Sequence, residues 1–340
     1  MGRHASRRTG VKRSSRRRFA SSRLVDLALK LVGRPLAALA GLALRWSAQP
    51  RGIALVYHQI DDATGDPTRT IVATHGASLF ESQVRYLKGH YRVVPASELI
   101  AATAARRRGQ RFPVAITFDD DLRSHTRRAM PILRRVGVPA TFFVSGASLA
   151  APFSFWWERL QRAIDQGVDV ESVHQAAGGE PPDDVRTLAS RVIDMSPAQR
   201  DALSARLRER LGPDPEDAAM RADDLRALAQ AGFQIGFHTL RHEAMTGLDE
   251  DGLQGAMQEG REQIEEVVGR RLTTISYPHG RADERVASAA RAAGYEWGFV
   301  ASHLPVRPAT DPLLIGRIGP SVRSTDALAV RILRTLLRRG

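Results

Sequence analysis

Residues 112–121 read Phe112-Pro-Val-Ala-Ile-Thr-Phe-Asp-Asp-Asp121, and this stretch decides the fold. Residues 112–118 are apolar, β-rich and of a length that suits a buried strand. The run ends in adjacent carboxylates, Asp119 and Asp120. A strand end is a poor place to hold two anions, because burial penalises each of them. The arrangement makes sense if one carboxylate binds a metal and the other takes a proton. Alone, such a pair is as readily a helix cap or a solvated turn.

A second strand-like run, Phe233-Gln-Ile-Gly-Phe237, leads straight into His238-Thr-Leu-Arg-His242. A His-x₃-His spacing is also weak by itself, because with 10 histidines in 340 residues roughly 0.3 such spacings arise by chance. Both motifs, however, leave an apolar strand, which is where α/β folds bind ligands. Together they compose a two-histidine, one-carboxylate metal site with room for water.

The chain is 43% hydrophobic and 26% charged, enough to bury one large domain or two smaller ones. It has no cysteine, which excludes disulfides, thiolate metal sites and cysteine nucleophiles together. The net charge of +13 is concentrated at one end. Residues 1–50 hold 12 Lys or Arg against one Asp, so +11 resides there and residues 51–340 carry only +2. Nucleic-acid binding through this leader has no support beyond charge, since interleaved aromatics are lacking.

Residues 1–22 are Arg- and Ser-rich and read as disordered. In residues 23–46, Arg23, Asp26, Lys30 and Arg34 recur every three or four positions on an otherwise apolar cylinder. That pattern fits an amphipathic helix, lying on an anionic membrane surface or docked on the chain's own domain. The longest uncharged run, 35–44, is too short to span a bilayer. The expected location is cytoplasmic, or peripheral at the inner membrane face. Ser15-Arg-Arg-Arg-Phe19 offers twin-arginine export as the alternative, although charges interrupt the apolar stretch that should follow.

From residue 51 to 325, β-rich runs alternate with helical ones, as in βα units. Strands are expected at 53–57, 91–94, 113–118, 141–144, 233–237, 275–277 and 297–300, and helices at 80–86, 122–136, 224–231, 252–268 and 285–293. Residues 152–222 break this rhythm with charged helical sequence around a Gly-Gly-Glu-Pro-Pro hinge at 178–182, and read as an inserted helical segment. The segment opens on Phe153-Ser-Phe-Trp-Trp157, either packing for the insert or a wall on which a sugar could stack. Residues 326–340 are expected to form a basic C-terminal helix.

With these pieces in place the chain resembles the polysaccharide deacetylase family. The residues that carry the resemblance are Thr117-Phe-Asp-Asp120, His238-Thr-Leu-Arg-His242 and Tyr277-Pro-His-Gly280. Supporting text comes from Val56-Tyr-His58 and from the segment between Ala129 and Phe143. The resemblance covers about residues 53–320, the insert excepted.

It implies a distorted (β/α) barrel with its site at the carboxyl ends of the strands. It further implies one divalent ion, zinc first among the metals, held by Asp120, His238 and His242, with Asp119 as general base. Tyr277, Pro278, His279 and His58 would line the oxyanion and substrate region. The implied function is hydrolysis of N-acetyl groups on the sugars of a polysaccharide or cell-wall glycan. An O-acetyl esterase, another C–N hydrolase, or a non-catalytic glycan binder with a decayed site are the alternatives.

The chain departs from the family pattern in three places. The late Leu-x-His motif that supplies the general acid is absent, leaving His303 and His125 as candidates. The arginine expected two residues before Pro278 is Ser276, with Arg241 a possible replacement or simply a solvent-facing side chain. The glycine expected after the acid pair is Asp121, which shares a helical face with His125 at i, i+4 spacing.

Overall fold

The computed structural model describes residues 44–66, 69–168 and 185–338. Most of the expected leader, and the hinge at 178–182, lie outside the described residues.

Among the described residues, ten strands follow in chain order: β1 Ile53–Tyr57, β2 Gln59–Asp61, β3 Thr74–Gly76, β4 Arg92–Val94 and β5 Pro113–Phe118, then β6 Thr141–Val144, β7 Gln234–Phe237, β8 Thr274–Ser276, β9 Trp297–Ala301 and β10 Ile315–Ile318. Seven of them, β1, β10, β9, β8, β7, β6 and β5, run parallel and close on themselves through the β1–β5 pairing. β4 joins one edge of β5 at residues 113–115, and β6 takes the same edge higher up at residues 117 and 118. This shared edge is one source of the barrel's distortion. Another is the connection between β9 and β10, which contains no helix. β2 and β3 pair separately. The expected distorted (β/α) barrel is therefore the fold that forms.

A two-residue alternation sorts the strand side chains between the barrel's inside and its helical jacket. On β5, Val114, Ile116 and Phe118 join the larger cluster outside, while Ala115 faces inward beside Ala54, Phe143, Phe299 and Ile315. Leu99 and Ala102 of the short helix Leu99–Ala104 belong to the same interior cluster. Gly236 is inward and has no room for more, since a Cβ there would stand 2.5 Å from Phe143 and from Thr274. The C-terminal helix Thr325–Leu337 buries Leu328, Ile332 and Leu336 against the outer cluster.

Two expected helices are not continuous. Residues 252–268 are split into Glu250–Gln258 and Arg261–Val268, because Gly260 sits at φ +82°, outside helical backbone space. Residues 122–136 become a π-helical turn, His125–Ala129, running into an α-helix, Met130–Val136. The insert supplies helices Trp156–Asp165, Val185–Ile193 and Pro197–Leu211, built around a separate core that includes Phe155, Trp156, Trp157, Leu160 and Val192. A buried Arg159–Asp214 ion pair crosses this subdomain.

Candidate metal centre and active site

The alternation that sorts the core also selects the residues that reach the site. One step beyond Ala115 and Thr117 on the inward side comes Asp119; beyond Ala54 and Val56 comes His58; beyond Gly236 comes His238. All three line a cavity of about 410 Å³ at the carboxyl ends of the strands, together with Arg317 and Ala301. Asp120 would by alternation face outward, but its backbone is left-handed, with φ 75°. Thr239, His242 and His279 are the other non-glycine residues with positive φ among the described residues. Each such conformation costs on the order of 1 kcal/mol. All four lie in the segments that carry the site.

Asp120 Oδ1 is 3.5 Å from His238 Nε2 and 3.5 Å from His242 Nε2. It is buried and has no hydrogen-bond partner. His238 Nδ1 lies 2.7 Å from the Ser276 carbonyl, a pure acceptor, so Nδ1 carries a proton and Nε2 is the nitrogen that faces Asp120. Burial opposes a charge on this ring, but Asp119 and Asp120 more than offset it and raise its pKa. A buried carboxylate oxygen facing two imidazole nitrogens is a donor set that fits a divalent cation once the rings are neutral, and these three residues meet the spacing for one. Burial and the neighbouring His279 and His238 rings hold His242 well below the usual imidazole range, which keeps it neutral and ready to ligate.

Beside this cluster, Asp119 is clamped by Arg317 of β10. Arg317 Nη1 donates to Oδ1 at 2.7 Å and Nη2 to Oδ2 at 2.6 Å, both partners being nearly inaccessible. Ser276 Oγ donates to Asp119 Oδ2 at 3.1 Å and accepts from Arg317 Nη2 at 2.7 Å. Burial alone would raise the Asp119 carboxyl. The Arg317 guanidinium, helped by His238, more than offsets it and holds the group below the ordinary carboxylate range. Asp119 Oδ2 is 3.9 Å from His238 Nε2, on the side of the cavity that holds this cluster.

Arg317 was absent from the expectations drawn on sequence, which looked to Arg241. Arg241 is exposed and paired with Glu259 at 3.0 Å. The available signal was a lone arginine inside the apolar run Ile315-Gly-Arg-Ile318.

The other expected site residues divide. His58, His279 and Gly280 line the cavity. Tyr277 does not: its ring is buried, and its hydroxyl is directed at Gly298, where an added Cβ would be 2.4 Å away. Pro278 is buried beneath the rim. His303 is exposed outside the cavity lining, its carbonyl accepting from Arg338 at 3.2 Å, so it is not placed to donate a proton.

His125 is also outside the lining, packed against Phe118 and Phe142 with Nε2 3.1 Å from the His58 carbonyl. Burial pushes its pKa down to about 4. Asp121 does not pair with it. Instead Asp121 accepts from Ser145 N and Oγ, Gly146 N and Ser148 Oγ, tying the end of β5 to the end of β6.

The aromatic opening of the insert packs the insert's own core and also lines the cavity. Phe155 and Trp157 stack at 4.3 Å within the insert core, while the Trp157 ring lies 4.5 Å from that of His242. Trp156, Trp157 and Ile193 form one wall of the cavity, and the strap Ile71-Val-Ala73 forms another. Gln161 holds that strap, accepting from Ile71 N at 2.9 Å.

Comparison with known proteins agrees with this geometry. A family model for polysaccharide deacetylase matches residues 106–184 and 211–298, which contain the acid, histidine and Pro-His-Gly motifs. YxkH of Bacillus subtilis strain 168, a protein named as an unproven polysaccharide deacetylase, is 21% identical over 246 residues. The match covers 72% of this chain and 62% of that protein, less than two thirds of its length.

Among solved structures, the Streptococcus pyogenes deacetylase PplD in complex with acetate superposes with a TM-score of 0.56 at 17% identity, covering 85% of this chain and 99% of that one. BC0361, a polysaccharide deacetylase from Bacillus cereus, gives 0.55 at 14% identity, covering 83% and 69%. At such identities the superpositions speak for the fold alone, and the motif match carries the relationship. The barrel of this chain belongs to the polysaccharide deacetylase family.

Proposed function

We propose that this chain is a metal-dependent hydrolase that removes N-acetyl groups from the sugars of a glycan. The observation that carries the reading is the unpartnered Asp120 Oδ1 between two imidazole nitrogens, beside an Asp119 carboxylate kept ionised by Arg317. A divalent cation held by Asp120, His238 and His242 would polarise the acetyl carbonyl and acidify a water molecule. Zinc suits two imidazoles and a carboxylate best.

The chain's own groups account for the protons. Asp119 receives the water proton at Oδ2, the oxygen that faces His238. The water oxygen bonds to the acetyl carbon, the C–N bond breaks, and acetate and a free amine result. His58, a cavity-lining imidazole outside the ligand set, supplies the proton that the amine needs. The backbone N–H at His279, on the left-handed turn that brings this segment to the rim, is the candidate oxyanion donor. Trp156 and Trp157 offer apolar faces to the sugar ring.

The test is acetate release from N-acetylglucosamine oligomers by chelated and by zinc-reloaded enzyme. Metal-dependent release that D119N abolishes, with metal binding retained, is the expected result. Release only from O-acetylated sugars would move the reading to an esterase. No release from either, with metal bound, would refute it. H58N should lower kcat by 10²–10⁴, the usual worth of a general acid, while leaving metal content unchanged.

A further inference from the structure

The end of the barrel opposite the cavity has a surface that catalysis does not use. Among the described residues, three large apolar side chains stand exposed: Trp46 at 60%, Leu304 at 48% and Leu337 at 52%. All three belong to the end where the strands begin. Trp46 lies in the segment that leads into β1 and packs near Gly109, in the loop that enters β5. Gly52, which opens β1, pairs with Val306, two residues from Leu304. Arg307 donates to the carbonyl of Arg338, the neighbour of Leu337.

Cationic side chains surround this apolar surface. Arg107, Arg108 and Arg111 are exposed in the loop before β5, and Arg270 and Arg271 in the loop before β8. Of the acids before β9 and β10, Asp311 is turned to Arg291 at 3.6 Å and Glu296 is exposed.

The point at which the leader joins this surface is fixed. Arg106, stacked on Phe112 at 3.7 Å, donates to the carbonyls of Arg45 at 2.7 Å, Ser47 at 3.2 Å and Gln49 at 3.0 Å. Arg108 Nε donates to the Trp46 carbonyl at 2.6 Å. Residues 1–43, which precede this clasp, carry 11 Lys or Arg and one Asp, and residues 24–44 carry Leu or Val at ten positions. Cationic and apolar chemistry thus coincides on the folded face at one end of the barrel, where Arg45 and Trp46 are held, and the sequence of residues 1–43 is rich in the same residue types. That combination suits a lipid headgroup and acyl boundary rather than a nucleic acid.

We propose that the strand-entry end of the barrel docks on an anionic phospholipid surface. Trp46 sits in the interface, Arg107, Arg108 and Arg111 face the headgroups, and the cavity opens away from the lipid. The Arg106 clasp holds the segment that carries Trp46 and so sets the orientation. This assignment stands on the geometry of the strand-entry end and is independent of the reaction at the other.

The full chain should co-sediment with vesicles of phosphatidylcholine and phosphatidylglycerol, and not with phosphatidylcholine alone. At about 1 kcal/mol for each cationic residue near the surface, R107Q/R108Q/R111Q should weaken partitioning about a hundredfold. Bromine-labelled lipid should quench part of the wild-type tryptophan emission, and that part should vanish in W46F. The quenching measurement keeps the proposal open to refutation even if the triple variant folds poorly. Wild-type partitioning by a folded triple variant would mean that the leader binds without the barrel face and would overturn the proposal. So would equal binding to both vesicle types, absence of Trp46 quenching, or a preference for duplex nucleic acid over vesicles.

Discussion

Replacing Arg317 by Met tests the reading of the Asp119 environment most directly. The guanidinium and the carboxylate are 3% and 5% exposed at the side chain and meet through two short hydrogen bonds. Removing one member of a buried pair leaves the other charge uncompensated, at a cost of about 3–5 kcal/mol. For a domain of this size that is a fall in Tm on the order of 10 °C. The double variant D119N/R317M, with both charges gone, should recover much of the loss, giving a coupling energy of a few kcal/mol.

The pH dependence supplies a second readout. In the wild type the Asp119 carboxyl is held below its unfolded value, so its contribution is present above about pH 3.9 and is lost as the pH falls further. In R317M burial raises the carboxyl instead. Its contribution is then greatest below about pH 3.9 and is lost as the pH rises. Thermal melts from pH 3 to pH 8, on metal-loaded and chelated protein, should therefore show an altered slope in R317M alone. Acetate release should fall at least a hundredfold, since a protonated base cannot accept. An R317M protein with wild-type Tm and wild-type rate would refute the assignment. A double variant as unstable as the sum of the singles would show that the two residues do not act on each other.

Other perturbations separate the roles of neighbouring groups. D120N, H238A and H242A should each lose stoichiometric zinc by equilibrium dialysis, and the thermal stabilisation that zinc gives the wild type should disappear with it. D121A should cost roughly 3 kcal/mol in denaturant unfolding, because buried donors on Ser145, Gly146 and Ser148 lose their acceptor. At temperatures where D121A stays folded it should still bind zinc, unlike D120N. H303A should leave kcat unchanged, as expected of an exposed side chain outside the cavity.

Burial lowers His75 and His125 to about 4 each, below their unfolded value. Their contribution, at most about 3 kcal/mol apiece, is therefore present above about pH 6.5 and lost as the pH falls toward 4. Melts across that window should show the loss, and H125F should reduce it.

The parts of the site that sequence made legible are those governed by period and adjacency. Asp119, His58 and His238 each sit one step past a strand whose inward positions can be counted from the apolar pattern, so their convergence follows once the strands close into a barrel. Asp120 and His242 were found through their spacing, although their approach to His238 depends on left-handed backbone that no propensity predicts. His125 was misjudged because i, i+4 spacing assumes an α-helix, whereas a π-helical turn begins at that residue and Asp121 points into the β6 loop. The split of residues 252–268 had a visible cause in Gly260, but a glycine inside a helical pattern is tolerated often enough to be passed over.

Arg317 shows how a missing motif residue can mislead. An absent arginine near Pro278 suggested a base without its partner and, with it, a decayed site. The physical requirement is only that a cation reach the buried Asp119 carboxylate. β8 and β10 flank β9 in the ring, and the interior they enclose is narrow enough for one arginine to serve from either side. Here the cation stands on β10, and Ser276, at the β8 position where the resemblance implies an arginine, hydrogen-bonds both the carboxylate and the guanidinium. The serine and the distant arginine thus form one hydrogen-bonded unit on Asp119 that spans two strands. A site that had lost its chemistry would have no cause to keep a desolvated guanidinium paired with that carboxylate, because apolar residues would fill the same space at no electrostatic cost. S276A and R317M should therefore be non-additive, and if their effects on Tm simply add, the two-strand account is wrong.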